Sequence, residues 1–364
     1  MGFEDLRASG PLVKTLSGML DSGRLPGALL LHEDDGGGAL PLALAFLGRL
    51  FGEESRVGRL IHPDVHYFYP VASGSKVSEK TDALKASLFF RYWQALVAQK
   101  PYFTEQELYE AFGVQGKQVQ LGIAQAREIL DTASLSPVEG GYVALVIYLP
   151  EKMNLACANK LLKLLEEPPR KTLFVMISHD PGRMLPTVLS RCQLFRVEPL
   201  PREMIAKALM DMGQVSEAEA DSYAAWAGGS LGRALALLSD AENSARQEEL
   251  LRGLFSALAA RDLGKALDTG EALAALGSKE RQKAFCGYAA GAARRLFLVQ
   301  QGLERLASLP SSQEAYYASV AASCKKTFPR QASVLLGRAA QMLERNVNPK
   351  ILFADLAAKL YMVF

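Results

Sequence analysis

The chain has 364 residues, of which 49% are hydrophobic and 22% are charged. This length is too great for one compact core, and the composition is that of an ordinary globular protein, so we expect two or three domains. The formal net charge of +2 excludes a strong overall field for nucleic acid or acidic membranes. Any contact with DNA is therefore expected to be local or shared with partners.

The cysteines and the N-terminal residues predict a cytoplasmic protein. The first ten residues, MGFEDLRASG, lack the basic and apolar regions of a secretory signal, and no apolar run approaches the roughly 18 residues of a membrane span. The cysteines form no CxxC pair, which argues against a zinc ribbon or a redox dithiol. These four residues are Cys157, Cys192, Cys286 and Cys324.

The first 200 residues alternate between short apolar runs and helical patterns. The runs predicted as strands are residues 27–32, 65–70, 142–149, 172–178 and 193–197. Helices are predicted over residues 40–52 and within NLACANKLLKLLEE, where the side chain of Asn154 is expected to cap the helix. Continuous apolar strands separated by helices favour a parallel sheet that is covered on both faces.

The segment at about 73–118 is predicted to be a helical insertion. Its Trp93, Lys100 and Tyr102 leave two interpretations open. They are compatible with stacking on single-stranded nucleic acid, but aromatic core packing is the favoured interpretation.

Helical patterns without strands follow residue 200. We predict an α/β domain over residues 1–200, a small helical domain over 201–242 and an all-helical domain over 243–364. In the small domain, Gly228, Gly229 and Ser230 indicate a helix break followed by a cap.

The stretch LLLHEDDGGGAL (residues 29–40) begins as a phosphate-binding loop does. A working loop reads GxxxxGK[ST], in which the lysine reaches the phosphates and the hydroxyl binds magnesium. Here Ala39 stands at the lysine position and Leu40 at the hydroxyl position, while Glu33 stands at the first glycine. Carboxylates at Glu33, Asp34 and Asp35 would repel a triphosphate. The glycines of this degenerate loop are Gly36, Gly37 and Gly38.

Four motifs in family order resemble the AAA+ clamp-loader family, in particular subunits of the delta-prime type. They are IHPDVHYFYP, NKLLKLLEEPP, LSRC and AGGSLGRAL. The resemblance covers about the first 242 residues, and the helical C-terminal block matches in length and character. Many relatives carry a four-cysteine zinc module before the HPD stretch, but this chain has no cysteine there, and His62 and His66 alone cannot form such a site. We therefore expect no zinc.

The resemblance implies that Arg191 of the SRC motif acts as an arginine finger on the ATP site of a neighbouring subunit. A planar, permanently charged guanidinium suits the charge that phosphoryl transfer spreads over oxygen atoms. Ser190 and Cys192 are expected to hold the turn. Ser178 and Arg233 match positions that sense nucleotide in active members, and we expect both to be structural here.

The same resemblance implies an AAA+ module with a helical lid and a helical collar. The expected function is that of a non-catalytic clamp-loader subunit in the DNA polymerase III holoenzyme, without tight ATP binding. Expected partners are the delta and gamma/tau subunits, with the sliding clamp and primed DNA reached through the complex. Two alternatives stay open: an active gamma/tau-like ATPase, and a scaffold whose Arg191 never meets nucleotide.

Overall fold

A computed structural model describes residues 10–212, 215–310, 313–345 and 347–364. The chain divides into two compact units. Unit 1 comprises Met1–Gln214 together with Gly229–Ala236, and unit 2 comprises Val215–Gly228 together with Leu237–Phe364. The predicted domain boundaries at residues 200 and 242 remain predictions.

Unit 1 is built on a parallel sheet of five strands in the order β2-β3-β4-β1-β5. The strands are β1 (Ala28–His32), β2 (Val65–Phe68), β3 (Val143–Tyr148), β4 (Thr172–Ser178) and β5 (Gln193–Arg196). All residues of β3 and β4 are buried, as expected when helices cover both faces of a parallel sheet. The predicted α/β fold class with a parallel sheet is confirmed, and each predicted strand is found within three residues of its expected bounds.

The helices of unit 1 connect and cover these strands. They are α1 (Gly10–Ser22), α2 (Ala39–Phe51), α3 (Glu54–Gly58), α4 (Phe90–Gln99), α5 (Glu105–Phe112), α6 (Ile123–Ala133), α7 (Leu155–Glu166), α8 (Pro186–Leu189) and α9 (Arg202–Asp211). Every residue from Ala39 to Gly48 in α2 is buried, which fits its almost uninterrupted apolar sequence. Asn154 caps α7 by accepting a hydrogen bond from the backbone N–H of Cys157, as predicted.

The insertion contains the predicted helical structure, as α4 and α5, and it packs into the core of unit 1. Trp93 is fully buried and stacks on Tyr69, with 4.8 Å between the ring centroids. Lys100 forms a 2.6 Å ion pair with Glu107. The core-packing interpretation of Trp93 is therefore the one that the structure supports.

All the regular secondary structure in the described residues of unit 2 is helical. Its helices are α10 (Glu217–Ala227), the end of α11 (Leu231–Ser239), α12 (Ala241–Ala259), α13 (Leu263–Ala274), α14 (Lys279–Gln300), α15 (Glu304–Ala307), α16 (Glu314–Ser323), α17 (Phe328–Glu344) and α18 (Pro349–Val363). Phe285, Phe328 and Phe353 are among the fully buried side chains of its separate core. Among the described helices, none has the length and apolar character that crossing a membrane requires.

The glycine-rich segment after α10 is a helix break, as predicted. Gly228 ends α10 with φ of 62°, a left-handed conformation that suits glycine. Ser230 then caps α11, because its Oγ accepts a hydrogen bond of 3.1 Å from the backbone N–H of Arg233.

Candidate functional site

Strands β1, β3 and β4 bring three polar segments to one edge of the sheet. Parallel strands end at the same edge, which is where open α/β sheets usually bind ligands. Glu33 follows β1, Glu151 follows β3, and His179 follows β4. The degenerate loop therefore lies at the edge where such sheets usually bind ligands.

The carboxylate of Glu33 closes this loop from inside. Glu33 is only 2% exposed, and its Oε2 accepts a 2.7 Å hydrogen bond from the backbone N–H of Ala39, the first residue of α2. Gly38 precedes α2 and has no side chain to cap it. Glu33 thus supplies the anion that a helix N-terminus favours and that a bound phosphate would otherwise provide.

The insertion covers the same loop. Gly38 has φ of 105°, and a Cβ at this position would lie 2.8 Å from the ring of Tyr102. The backbone N–H of Glu105, the first residue of α5, donates a 2.8 Å hydrogen bond to Oδ1 of Asp35. The side of the loop that faces the insertion is therefore filled by protein atoms.

The segment around Gly232 closes the loop from another side. Its backbone N–H donates a 3.0 Å hydrogen bond to the carbonyl oxygen of Gly36, and a Cβ on Gly232 would lie 2.8 Å from the Cα of Gly36. Ser230 Oγ donates a 2.7 Å hydrogen bond to the carbonyl oxygen of Asp35. Arg233 is exposed, and its charge helps to lower the pKa of Asp35, although burial raises that pKa overall.

His179 lies among carboxylates at this edge. Its Nε2 is 3.5 Å from Glu33, and its Nδ1 is 3.7 Å from Asp35 and 3.6 Å from Glu105. Glu151 Oε1 accepts a 2.9 Å hydrogen bond from the backbone N–H of His179. We call these five residues the carboxylate–imidazole cluster.

Mutual attraction fixes the charges of this cluster. Burial alone would lower the pKa of His179, but the carboxylates of Glu105 and Glu33 outweigh it and raise the pKa to about 10. Burial would likewise raise the pKa of Glu105, but His179 and the ammonium of Lys152, which is 2.6 Å away, lower it to about 2. At neutral pH the cluster therefore contains an imidazolium that is already neutralised by its own chain.

The remaining sequence-predicted residues at this edge are structural neighbours of the loop. The carbonyl oxygen of Ser178 accepts a 3.0 Å hydrogen bond from the backbone N–H of Glu33, and its Oγ accepts one from the N–H of Asp180. Leu40 is buried in the core. Among the described residues, no group of three or more His, Cys, Asp or Glu side chains is arranged to hold a metal ion.

Arg191 lies at the opposite edge of the sheet. It lies two residues before β5, and β5 runs parallel to β1, whose far end carries the degenerate loop. Since β1 has five residues, the two edges are about 16 Å apart. Arg191 is therefore too far away to serve the loop of its own chain.

The SRC turn holds Arg191 at the surface. Ser190 Oγ donates a 3.3 Å hydrogen bond to the carbonyl oxygen of Thr187, and Cys192 Sγ lies 3.9 Å from Met176 Sδ. The guanidinium of Arg191 donates a 2.6 Å hydrogen bond to the same Thr187 oxygen and pairs with Glu166 at the end of α7.

Sequence reasoning missed three residues that define these two places, Glu105, Glu166 and His179, and it did not place Tyr102 at the loop. Only His179 carried a usable signal, because a polar residue directly after a buried parallel strand is expected at the ligand edge. Tyr102 and Glu105 contact the loop although they lie about 70 positions away in the chain, and no local sequence pattern predicts such a contact.

Comparison with known proteins finds similarity to subunits of DNA polymerase III. The model of the family described as "DNA polymerase III, delta subunit" matches residues 9–201. DNA polymerase III subunit delta' of Pseudomonas aeruginosa is 38% identical over 94 residues, which are 24% of this chain and 28% of that protein. The gamma subunit of Buchnera aphidicola is 33% identical over 126 residues, 33% of this chain and 35% of that protein.

A solved structure is similar over a longer stretch. The DNA polymerase III gamma subunit-related protein of Thermotoga maritima is 16% identical, with a TM-score of 0.44, over 96% of this chain and 99% of that one. The matches to the curated relatives span only about a third of their length or less.

The raised pKa of His179 predicts a stability that falls at alkaline pH. A folded-state pKa of about 10, above the ordinary 6.5, stabilises the fold fully below pH 6.5, and this contribution is lost as pH rises toward 10. The free energy of unfolding should therefore fall across this window, by at most about 1.4 kcal/mol per pH unit for one proton. His179→Gln should remove this slope.

Denaturant titrations at several pH values, followed by the fluorescence of Trp93 in a Trp226→Phe background, measure this dependence in unit 1. His66→Gln is the matched control, because burial lowers the pKa of His66 and its titration lies below the alkaline window. An unchanged alkaline slope in His179→Gln would contradict the charge assignment.

Proposed function

The chain belongs to the DNA polymerase III delta-subunit family of clamp-loader proteins, because the family model matches more than half of it, and on this basis we propose that it is a non-catalytic clamp-loader subunit of the delta-prime type. In this role it binds no ATP of its own. It supplies Arg191 to the ATP site of a neighbouring subunit instead. The observation that carries the proposal is the separation of a closed loop and a partly exposed arginine onto opposite edges of one sheet.

The closed loop supports the absence of ATP binding. A triphosphate would have to displace the Glu33 carboxylate from the N-terminus of α2, yet Ala39 offers no ammonium to compensate. It would also enter beside the other carboxylates of the cluster, whose balancing cations, His179 and Lys152, already have partners. Both the Coulomb repulsion and the lost hydrogen bond oppose binding.

The position of Arg191 supports a role in trans. An arginine finger stabilises negative charge on the transferred phosphoryl group, so it has to reach a phosphate. The loop of its own chain lies about one strand length away. A nucleotide in an adjacent subunit is therefore the target that fits its position.

We propose the partners that such a role requires. Delta and gamma/tau subunits complete the assembly, and the sliding clamp and primed DNA are reached through it in the cytoplasm. The helical block after residue 243 is the proposed collar. No zinc is proposed, because the chain lacks the four-cysteine spacing of such a module.

An active gamma/tau-type ATPase is the second candidate, since the gamma subunit of Buchnera aphidicola is among the similar proteins. The loop opposes this candidate, because it lacks both the lysine and the hydroxyl. A pure scaffold is the third candidate, and it differs from our proposal only in what Arg191 does.

The isolated chain should not bind ATP. With Mg²⁺ and about 1 mM ATP, the upper end of ordinary KM values, calorimetry should detect no saturable binding. A gamma/tau-type subunit from the same organism provides the positive control. Saturable binding by this chain would favour the active-ATPase candidate over the proposed function.

Arg191→Ala should leave assembly intact and impair catalysis in the reconstituted complex. Loss of an arginine finger lowers turnover at the affected site by about 10³-fold or more, so DNA-stimulated ATPase activity and clamp loading should both fall. Arg191→Lys should restore little activity, because an ammonium lacks the planar fork of donors.

Arg196→Ala is the matched control for this variant. Arg196 ends β5 at the other edge of the sheet and pairs with Asp34, so its loss removes the same charge without removing the proposed finger. Equal ATPase turnover in the Arg191→Ala and wild-type complexes would leave only the scaffold role.

A further inference from the structure

The guanidinium of Arg191 is bound by acceptors of its own chain. Nη1 donates to the carbonyl oxygen of Thr187 at 2.6 Å and to Ser190 Oγ at 3.3 Å, while Nη2 pairs with Oε1 of Glu166. The arginine side chain is 30% exposed. In this state the guanidinium lies along its own subunit, and its charge is already paired.

The end of α7 fixes the position of Glu166 beside the arginine. Pro168 disfavours helical geometry at Glu167, so α7 ends at Glu166. Pro168 packs closely against the start of β1, where a Cβ on Gly27 would lie 2.8 Å from its Cγ. The paired Glu166 and Arg191 both line an open groove of about 570 Å³, whose walls also include Gly27, Leu165 and Pro168.

Helix stability does not explain a carboxylate at this position. The C-terminus of a helix carries partial negative charge, so an acidic residue in the last turn is unfavourable. The arginine partner offsets this cost. Because the glutamate is 45% exposed, the pair is also weak enough to open.

We propose that Glu166 is a positioning residue that restrains Arg191 on its own subunit until a nucleotide phosphate of the neighbouring subunit replaces the carboxylate. Both groups offer oxygen acceptors to the same guanidinium, and the phosphate carries the greater charge. The inference rests on the proposed trans role of Arg191. Part of the free energy with which Arg191 binds the phosphate is then used to break its ion pair with Glu166.

The test is Glu166→Gln in the reconstituted clamp-loader complex, with ATPase rates measured in the presence of clamp and primed DNA. The amide keeps the shape of the side chain but removes the competing charge. Because an exposed ion pair is weak, kcat/KM for ATP should rise by about two- to five-fold. A merely structural Glu166 would instead lower the melting temperature of the subunit and would not raise kcat/KM.

Glu167→Gln is the matched control. Glu167 is the next residue, is exposed, and makes no ion pair among the residues that the structure describes. Its loss changes the net charge equally and should leave kcat/KM unchanged. If both variants raise kcat/KM equally, the effect comes from net charge and the inference is wrong.

A double variant separates this inference from the function on which it rests. Glu166→Gln should have no effect in an Arg191→Ala background, because no finger remains to be released. If Arg191→Ala lowers turnover while Glu166→Gln leaves kcat/KM unchanged or lowers it, the restraint is disproved and the trans role stands. If Arg191→Ala has no effect, both proposals fail.

Discussion

The hydrogen bond from the backbone N–H of Ala39 to the carboxylate of Glu33 is the constraint on which the degenerate loop and its edge of the sheet depend. A buried carboxylate requires hydrogen-bond donors, and the N-terminus of a helix without a side-chain cap requires an acceptor. Glu33 and the N-terminus of α2 meet both requirements within one loop. This arrangement keeps the strand, the turn and α2 that a phosphate-binding loop uses. It also removes the need for a phosphate.

The parallel sheet accounts for the separation of roles. Carboxyl ends of strands meet at one edge, where Glu33, Glu151 and His179 form the cluster that Tyr102 and the insertion help to close. Amino ends meet at the other edge, where the residues before β1, β4 and β5 place Gly27, Pro168 and Arg191 around one groove. One sheet thus combines an edge whose charged groups are paired within the chain with an edge that carries the guanidinium of Arg191. The proposed role of Arg191 in trans rests on this combination.

Local patterns predicted the fold well, because strand burial and helix caps depend on neighbouring residues. The apolar run of β4, the Asn154 cap and the Gly228 break are examples. The sequence alone also showed that the loop lacks its lysine, because Ala39 stands at that position. The inward direction of the Glu33 side chain could not be predicted. The motif alignment placed Glu33 at a glycine position and suggested only that its carboxylate would repel a triphosphate. The carboxylate of Glu33 turns inward to Ala39 and also meets His179, which is distant in the chain, just as Arg191 meets the distant Glu166.

The most direct test of the account is a structure of the assembled complex with a non-hydrolysable ATP analogue. We expect the guanidinium of Arg191 within hydrogen-bond distance of a γ-phosphate bound by the neighbouring subunit, released from Glu166. In this chain Glu33 should still bond to Ala39, and the loop should hold no nucleotide. Nucleotide in the loop of this chain, or an Arg191 still paired with Glu166 and far from every phosphate, would contradict the account.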